Sequence, residues 1–147
     1  MPLLTKAHFE IDFRVDNAKD FSPKLTIEAN TEQIIQTRIY NLGFSTLKNA
    51  SIVIYFGKKF EILPFSDAKY IDIDFKKEFT VQKESGGAIF RPNKNFQTIL
   101  PQMWLTFPVV VKVPNFEAPS KVIILVSSEN SWGLTRYMAP LIITKKQ

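Results

Sequence analysis

The chain has 147 residues, 45% of them apolar with thirteen Phe, and a formal charge of +5; this excludes a disordered or fibrous protein and suffices for one core. It has no Cys and a single His, which rules out disulfides, thiolate nucleophiles, Cys-ligated zinc or iron–sulfur sites and His-rich metal centres. The basic excess is small and falls in scattered pairs, Lys58-Lys59, Lys76-Lys77 and Lys145-Lys146, which suits solvated strand ends better than a nucleic-acid tract.

The opening Met-Pro-Leu-Leu-Thr-Lys-Ala-His is not a secretory signal, and no run approaches a membrane span. The chain is therefore expected to be cytoplasmic if it is a whole product, and extracytoplasmic if it is a domain cut from an anchored protein. Its first strand is expected over Ala7 to Val15, with Phe9, Ile11, Phe13 and Val15 on one side and His8, Glu10, Asp12 and Arg14 on the other. A shorter strand follows at Leu25, Ile27 and Ala29. Asn30 and Gln33 would fit a capping box, but the alternation of Ile35, Thr37 and Ile39 argues for a strand that stops at Asn41-Leu42-Gly43.

Ser51 to Phe56 and Phe60 to Leu63 come next, ending at Pro64. Tyr70 to Phe75 alternates apolar residues with Asp72 and Asp74. Phe79 and Val81 lead to Glu84-Ser85-Gly86-Gly87, a hairpin signal, and to a short strand at Ala88 to Phe90. The pattern blurs around Pro101, then resumes at Phe107, Val109, Val111 and Val113. Val122 to Val126 is the most apolar run and predicts a central strand buried on both faces. A loop from Ser127 to Gly133 leads to a last strand near Tyr137 to Thr144. Eight or nine strands and no sustained helix point to an all-β, antiparallel sandwich. The absence of repeats and linkers points to one domain over 1–147.

Within Ile35 to Phe56, the alternating aliphatics, the Asn41-Leu42-Gly43 corner with Ser45, and Ala50 leading into Ile52 and Ile54 resemble the B to C region of immunoglobulin-like domains of the bacterial CARDB and NEW3 type. A similar corner occurs in the leg domains of integrin α subunits. Asn tolerates turn geometry and bonds backbone, and Gly43 is expected to supply a positive φ there. The resemblance implies an immunoglobulin-like β-sandwich acting as a non-catalytic module that spaces, anchors or contacts another protein or a glycan.

No chemistry-bearing constellation interrupts the strands. His8 has no Ser nearby in sequence and is expected on a solvent-facing strand position. Glu10 with Asp12, and Asp72 with Asp74, are expected on a solvated outer face, with no calcium-type loop around them. Gly86-Gly87 lacks the residues of a phosphate cradle. No cofactor is expected. The aromatic residues Phe9, Phe13, Phe56, Phe75, Phe107 and Trp104 are assigned to the core. Trp132 lies in a polar turn and, with Arg136, Arg91 and Lys94, forms the candidate binding set. The expected partner is another protein, then a glycan. A small β-barrel binding single-stranded nucleic acid through basic and aromatic residues is the alternative.

Overall fold

A computed structural model describes residues 8–15, 18–44, 46–63, 79–92, 98–115, 120–129 and 135–145. They form twelve strands: β1 (Phe9–Val15), β2 (Leu25–Glu28), β3 (Glu32–Asn41), β4 (Leu47–Lys48), β5 (Ser51–Tyr55), β6 (Glu61–Leu63), β7 (Phe79–Glu84), β8 (Gly87–Pro92), β9 (Thr98–Ile99), β10 (Trp104–Lys112), β11 (Ser120–Ser127) and β12 (Thr135–Thr144). The count exceeds eight or nine partly because β4 and β9 are two-residue strands that sequence alternation does not register. No helix occurs among the described residues. The expected strand over Asp72 and Asp74 lies outside them.

The strands form a four-stranded sheet, β1-β3-β10-β6, and a six-stranded sheet, β2-β12-β11-β5-β8-β7, with β4-β9 as a small separate pair. Among the described residues both orders are linear, each sheet with two edges, which makes the architecture a sandwich rather than a closed barrel. Among the described residues pairing is antiparallel except where β2 runs parallel to β12, with Leu25 to Glu28 opposite Leu141 to Thr144. Two further bonds fasten that pair: the Ala29 N–H donates to the Thr144 carbonyl at 2.8 Å, and the Thr144 hydroxyl to the Ile27 carbonyl at 3.3 Å.

Alternation builds the core because successive strand residues face opposite sides. Ile11, Phe13, Ile35, Ile39, Phe107 and Val109 point inward from the smaller sheet, and Ile52, Ile54, Phe90, Val122, Ile124 and Leu141 from the larger, all at most 2% exposed. Phe107 and Phe90 meet across the interface with ring centroids 5.1 Å apart at 42°, the tilted arrangement aromatic quadrupoles favour. The Asn30 capping box does not form. Asn30 adopts φ 58° and donates its N–H to the Pro114 carbonyl, and β3 starts two residues later.

Two burial expectations are corrected. In β11, Val122, Ile124 and Val126 are buried but Ile123 and Leu125 are half-buried, so this central strand is fully covered on one face only. A strand that is covered on both faces is β10, where Pro108 and Val110 are buried along with Phe107, Val109 and Val111. Trp104 is not core but 56% exposed. The parity of β10 turns Leu105 and Phe107 inward, and therefore turns Trp104 and Thr106 outward. The tendency of a Phe-rich sandwich to bury its rings suggests burial, and strand phase overrides it.

The β7–β8 hairpin behaves as its Gly pair predicts. Gly86 has φ 77°, and a Cβ there would come within 2.3 Å of the Gly57 carbonyl oxygen. Its own carbonyl accepts the Phe56 N–H at 2.8 Å, seating the turn against the end of β5.

Urea unfolding should separate the two aromatic environments on β10. Phe107→Ala should cost about 3–5 kcal/mol through the cavity left between the sheets. Trp104→Ala should stay within about 1 kcal/mol, because a surface truncation leaves no void.

Candidate functional site

Asn41 ends β3 with its side chain only 1% exposed. Its Nδ2 donates to the Ile99 carbonyl at 3.0 Å, and its Oδ1 accepts the Gly43 N–H at 2.9 Å. Its backbone N–H donates to the Met103 carbonyl and its carbonyl accepts the Gln102 N–H, both at 2.9 Å. Only an amide side chain offers this donor and acceptor together at this length. Gln102, in the left-handed region at φ 63°, returns its Nε2 to the Leu42 carbonyl at 3.2 Å. The Leu42 N–H donates to the His8 carbonyl at 2.9 Å, and Leu47 pairs with Ile99. Two loops some 58 residues apart in sequence are thereby locked into one structure.

The Asn41-Leu42-Gly43 corner meets half of the expectation: Asn41 bonds backbone through its side chain as expected, but Gly43 does not supply a positive φ. It is Gln102 that adopts the left-handed conformation, on the facing loop. The apolar residues carried by these loops are exposed: Leu42 at 39%, Phe44 at 97%, Leu100 at 54% and Met103 at 50%. With Trp104, next in the chain, they account for every exposed large apolar side chain among the described residues except Met138.

Trp104 also belongs to the outer face of the smaller sheet. There, Glu10, Tyr40 and Trp104 lie in one row across β1, β3 and β10, and Asp12, Arg38 and Thr106 in the next. The Tyr40 and Trp104 rings are near-parallel, 27° apart with centroids at 6.2 Å. The Tyr40 hydroxyl donates to Gln102 Oε1 at 3.2 Å. Arg38 makes a two-pronged bridge to Asp12, Nε to Oδ1 at 2.8 Å and Nη2 to Oδ2 at 2.6 Å, and its guanidinium lies 4.1 Å from the Phe21 ring centroid. The hydrogen bond to Asp12 holds the guanidinium above its ordinary pKa, against the opposing effect of partial burial. Around β1 the face dips into a concavity of about 550 Å³, lined by Glu10, Asp12, Arg38, Tyr40, Trp104 and Tyr137 among others. Burial, helped by the charges of Glu10 and Asp12, raises the Tyr137 phenol above its ordinary 10.0.

The residues singled out from sequence are not gathered in this way. Arg136 is exposed on β12 and Arg91 on β8, where its Nη1 donates to Gln82 Oε1 at 3.0 Å. The strand order places β11 and β5 between them, a separation of roughly 14 Å at the usual strand spacing. Trp132 and Lys94 lie outside the described residues. His8 is exposed as expected. Of the carboxylates, Glu10 and Asp12 share the outer face as expected, but Asp12 is engaged by Arg38. Among the described residues no group of three His, Asp or Glu side chains could hold a metal ion, and no helix is long and apolar enough to cross a membrane. Sequence reasoning missed Tyr40, Arg38 and Phe44. The outward phase of Tyr40 and Arg38 in the Ile35-Thr37-Ile39 alternation was the available signal.

The sequence matches no family model and no curated protein. Solved structures similar to it include an uncharacterized protein from Nocardia farcinica with an immunoglobulin-like fold, at TM-score 0.57 and 7% identity over 86% of this chain and 82% of that one. The seventh ScaB type I cohesin from Pseudobacteroides cellulosolvens matches at TM-score 0.51 and 11% identity over 94% of each chain. The GH20 exo β-N-acetylglucosaminidase from Vibrio harveyi matches at TM-score 0.48 and 10% identity over 92% of this chain; the chain spans 18% of that enzyme's length. With the sheet topology, the first two likenesses establish the fold: the chain is an immunoglobulin-like β-sandwich.

Two measurements check this geometry. Asn41→Ala should lower the unfolding free energy by about 2 kcal/mol, because the buried Ile99 carbonyl loses its donor; an effect within error would remove Asn41 as the tie. The raised Tyr137 pKa means that the fold favours the neutral phenol. Its stabilisation is therefore complete below about pH 10 and lost as pH rises through the higher folded value. In an alkaline absorbance titration, Tyr137→Phe should delete a late-titrating phenol and flatten the loss of stability above pH 10.

Proposed function

We propose that this domain is a non-catalytic binding module that contacts another protein through the corner end. The observation that carries the reading is the cluster of Leu42, Phe44, Leu100 and Met103, exposed together on two hydrogen-bonded loops. A water-facing surface gains nothing from a Phe wholly in solvent, whereas covering it contributes about 1.5–3 kcal/mol. Loops already fixed by Asn41 and Gln102 lose little freedom when a partner docks, so more of that gain appears as affinity. A cohesin of the same architecture is in keeping with a binding module, by fold analogy alone.

Arg136 and Arg91 stand strands apart, whereas the corner residues adjoin, so we commit to the corner. Single-stranded nucleic acid fits less well, because several cations already have partners: Arg38 holds Asp12, Arg91 holds Gln82, and Lys83 holds Glu61 at 2.7 Å.

The test is photocrosslinking in a lysate of the cells of origin from benzoylphenylalanine at Phe44, with Lys121, exposed on β11, as the control position. One discrete protein adduct should form from position 44 and not from 121. Leu100→Ser should abolish it with stability changed by no more than about 0.5 kcal/mol. The yield should hold from about 0.1 to 0.5 M salt. Equal labelling from both positions, or a steep loss of yield with salt, sinks the reading; the latter would favour nucleic acid.

A further inference from the structure

The outer face of β1, β3 and β10 has a chemistry that the corner does not share. We propose that it binds a neutral β-1,4-linked oligosaccharide, with one pyranose stacked on Trp104 and its hydroxyls held by Glu10, Asp12 and Arg38. The site goes beyond the protein contact and does not depend on it.

Trp104 presents its ring from a paired strand rather than a loop tip, directly opposite Tyr40. An exposed Trp so fixed is an aromatic surface that needs no ordering on binding. The C–H face of a pyranose carries slight positive charge and is attracted to the negative face of the indole. A β-1,4-linked chain is a flat ribbon with C–H-rich faces, which suits an indole that Tyr40 backs in a near-parallel stack at 6.2 Å.

The polar half of the site is equally rigid. Nε and Nη2 of Arg38 are spent on Asp12, which leaves Nη1 as a donor and the outer lone pairs of both carboxylate oxygens as acceptors. Phe21, packed on the guanidinium, keeps that plane in place. Neighbouring sugar hydroxyls are spaced to meet such planar, paired groups. The Tyr137 phenol, kept protonated, adds a donor at the far wall. The concavity of about 550 Å³ falls in the range of small-ligand sites and has room for a mono- or disaccharide. Among its lining groups the two carboxylates outweigh the one guanidinium, so a uronate or sulfated sugar would meet net repulsion.

The experiment is calorimetric titration of the full chain with cellohexaose, xylohexaose and chitohexaose, and with hexagalacturonate as the acidic control. At least one neutral oligomer should bind saturably, with a dissociation constant on the order of 0.01–1 mM. Trp104→Ala should weaken it tenfold or more, and Trp104→Phe, which keeps a ring, by clearly less. Asp12→Asn should also weaken it. Phe44→Ser, which disables the corner, should leave it unchanged, so the two proposals fail separately. The inference is overturned if none of the three neutral oligomers binds, if hexagalacturonate binds as tightly, or if Trp104→Ala binds like the unaltered chain.

Discussion

The buried amide of Asn41 is the constraint on which the presentation of this domain's surface depends. Immunoglobulin-like sandwiches need little help to form two layers, because alternation supplies the core. What alternation cannot do is fix the connections at the ends of the sheets. Here one side chain spends its donor on Ile99 and its acceptor on Gly43, while its backbone binds Met103 and Gln102. Loops that would otherwise move separately share one buried polar centre, whose loss would leave groups without partners in a dry interior. The exposed Leu42, Phe44, Leu100 and Met103 are held in place by that hidden polarity.

The outer face inherits its rigidity from the opposite side of the same strands. β3 and β10 carry Ile35, Ile39, Phe107 and Val109 inward, and the same register sets Tyr40 beside Trp104 and Arg38 beside Asp12. A shift of one residue in either strand would turn every one of these side chains to the other face. Core and surface are thus two readings of one alignment, and the Phe90–Phe107 contact between the sheets holds the alignment that the surface uses.

Much of the architecture was legible in the sequence. The alternation at Phe9 to Val15, Ile35 to Ile39 and Ser51 to Phe56, and the apolar runs from Phe107 and Val122, located β1, β3, β5, β10 and β11 to within a few residues, because those signals are local. The Gly86 hairpin was legible for the same reason. The site was not. Arg38 meets Asp12 across 26 positions, and Asn41 meets Ile99 across 58; no pattern within one strand reveals a register between two. Trp104 was misplaced because a ring-rich sandwich buries most of its rings between the sheets, although Phe107 three residues on already put Trp104 on the opposite side. At the corner, the backbone-bonding role of Asn41 was legible, but the positive φ expected of Gly43 is taken by Gln102 on the facing loop, which no pattern around residue 43 reveals.

The parallel pairing of β2 with β12 carries a mechanical consequence. Tension drawn between the start of β2 and the end of β12 pulls the two strands past each other along their length, loading the ladder from Leu25–Leu141 to Glu28–Thr144 all at once. An antiparallel hairpin pulled open at one end would instead unzip bond by bond. A load applied across that pair of strands therefore meets the stiffer of the two geometries.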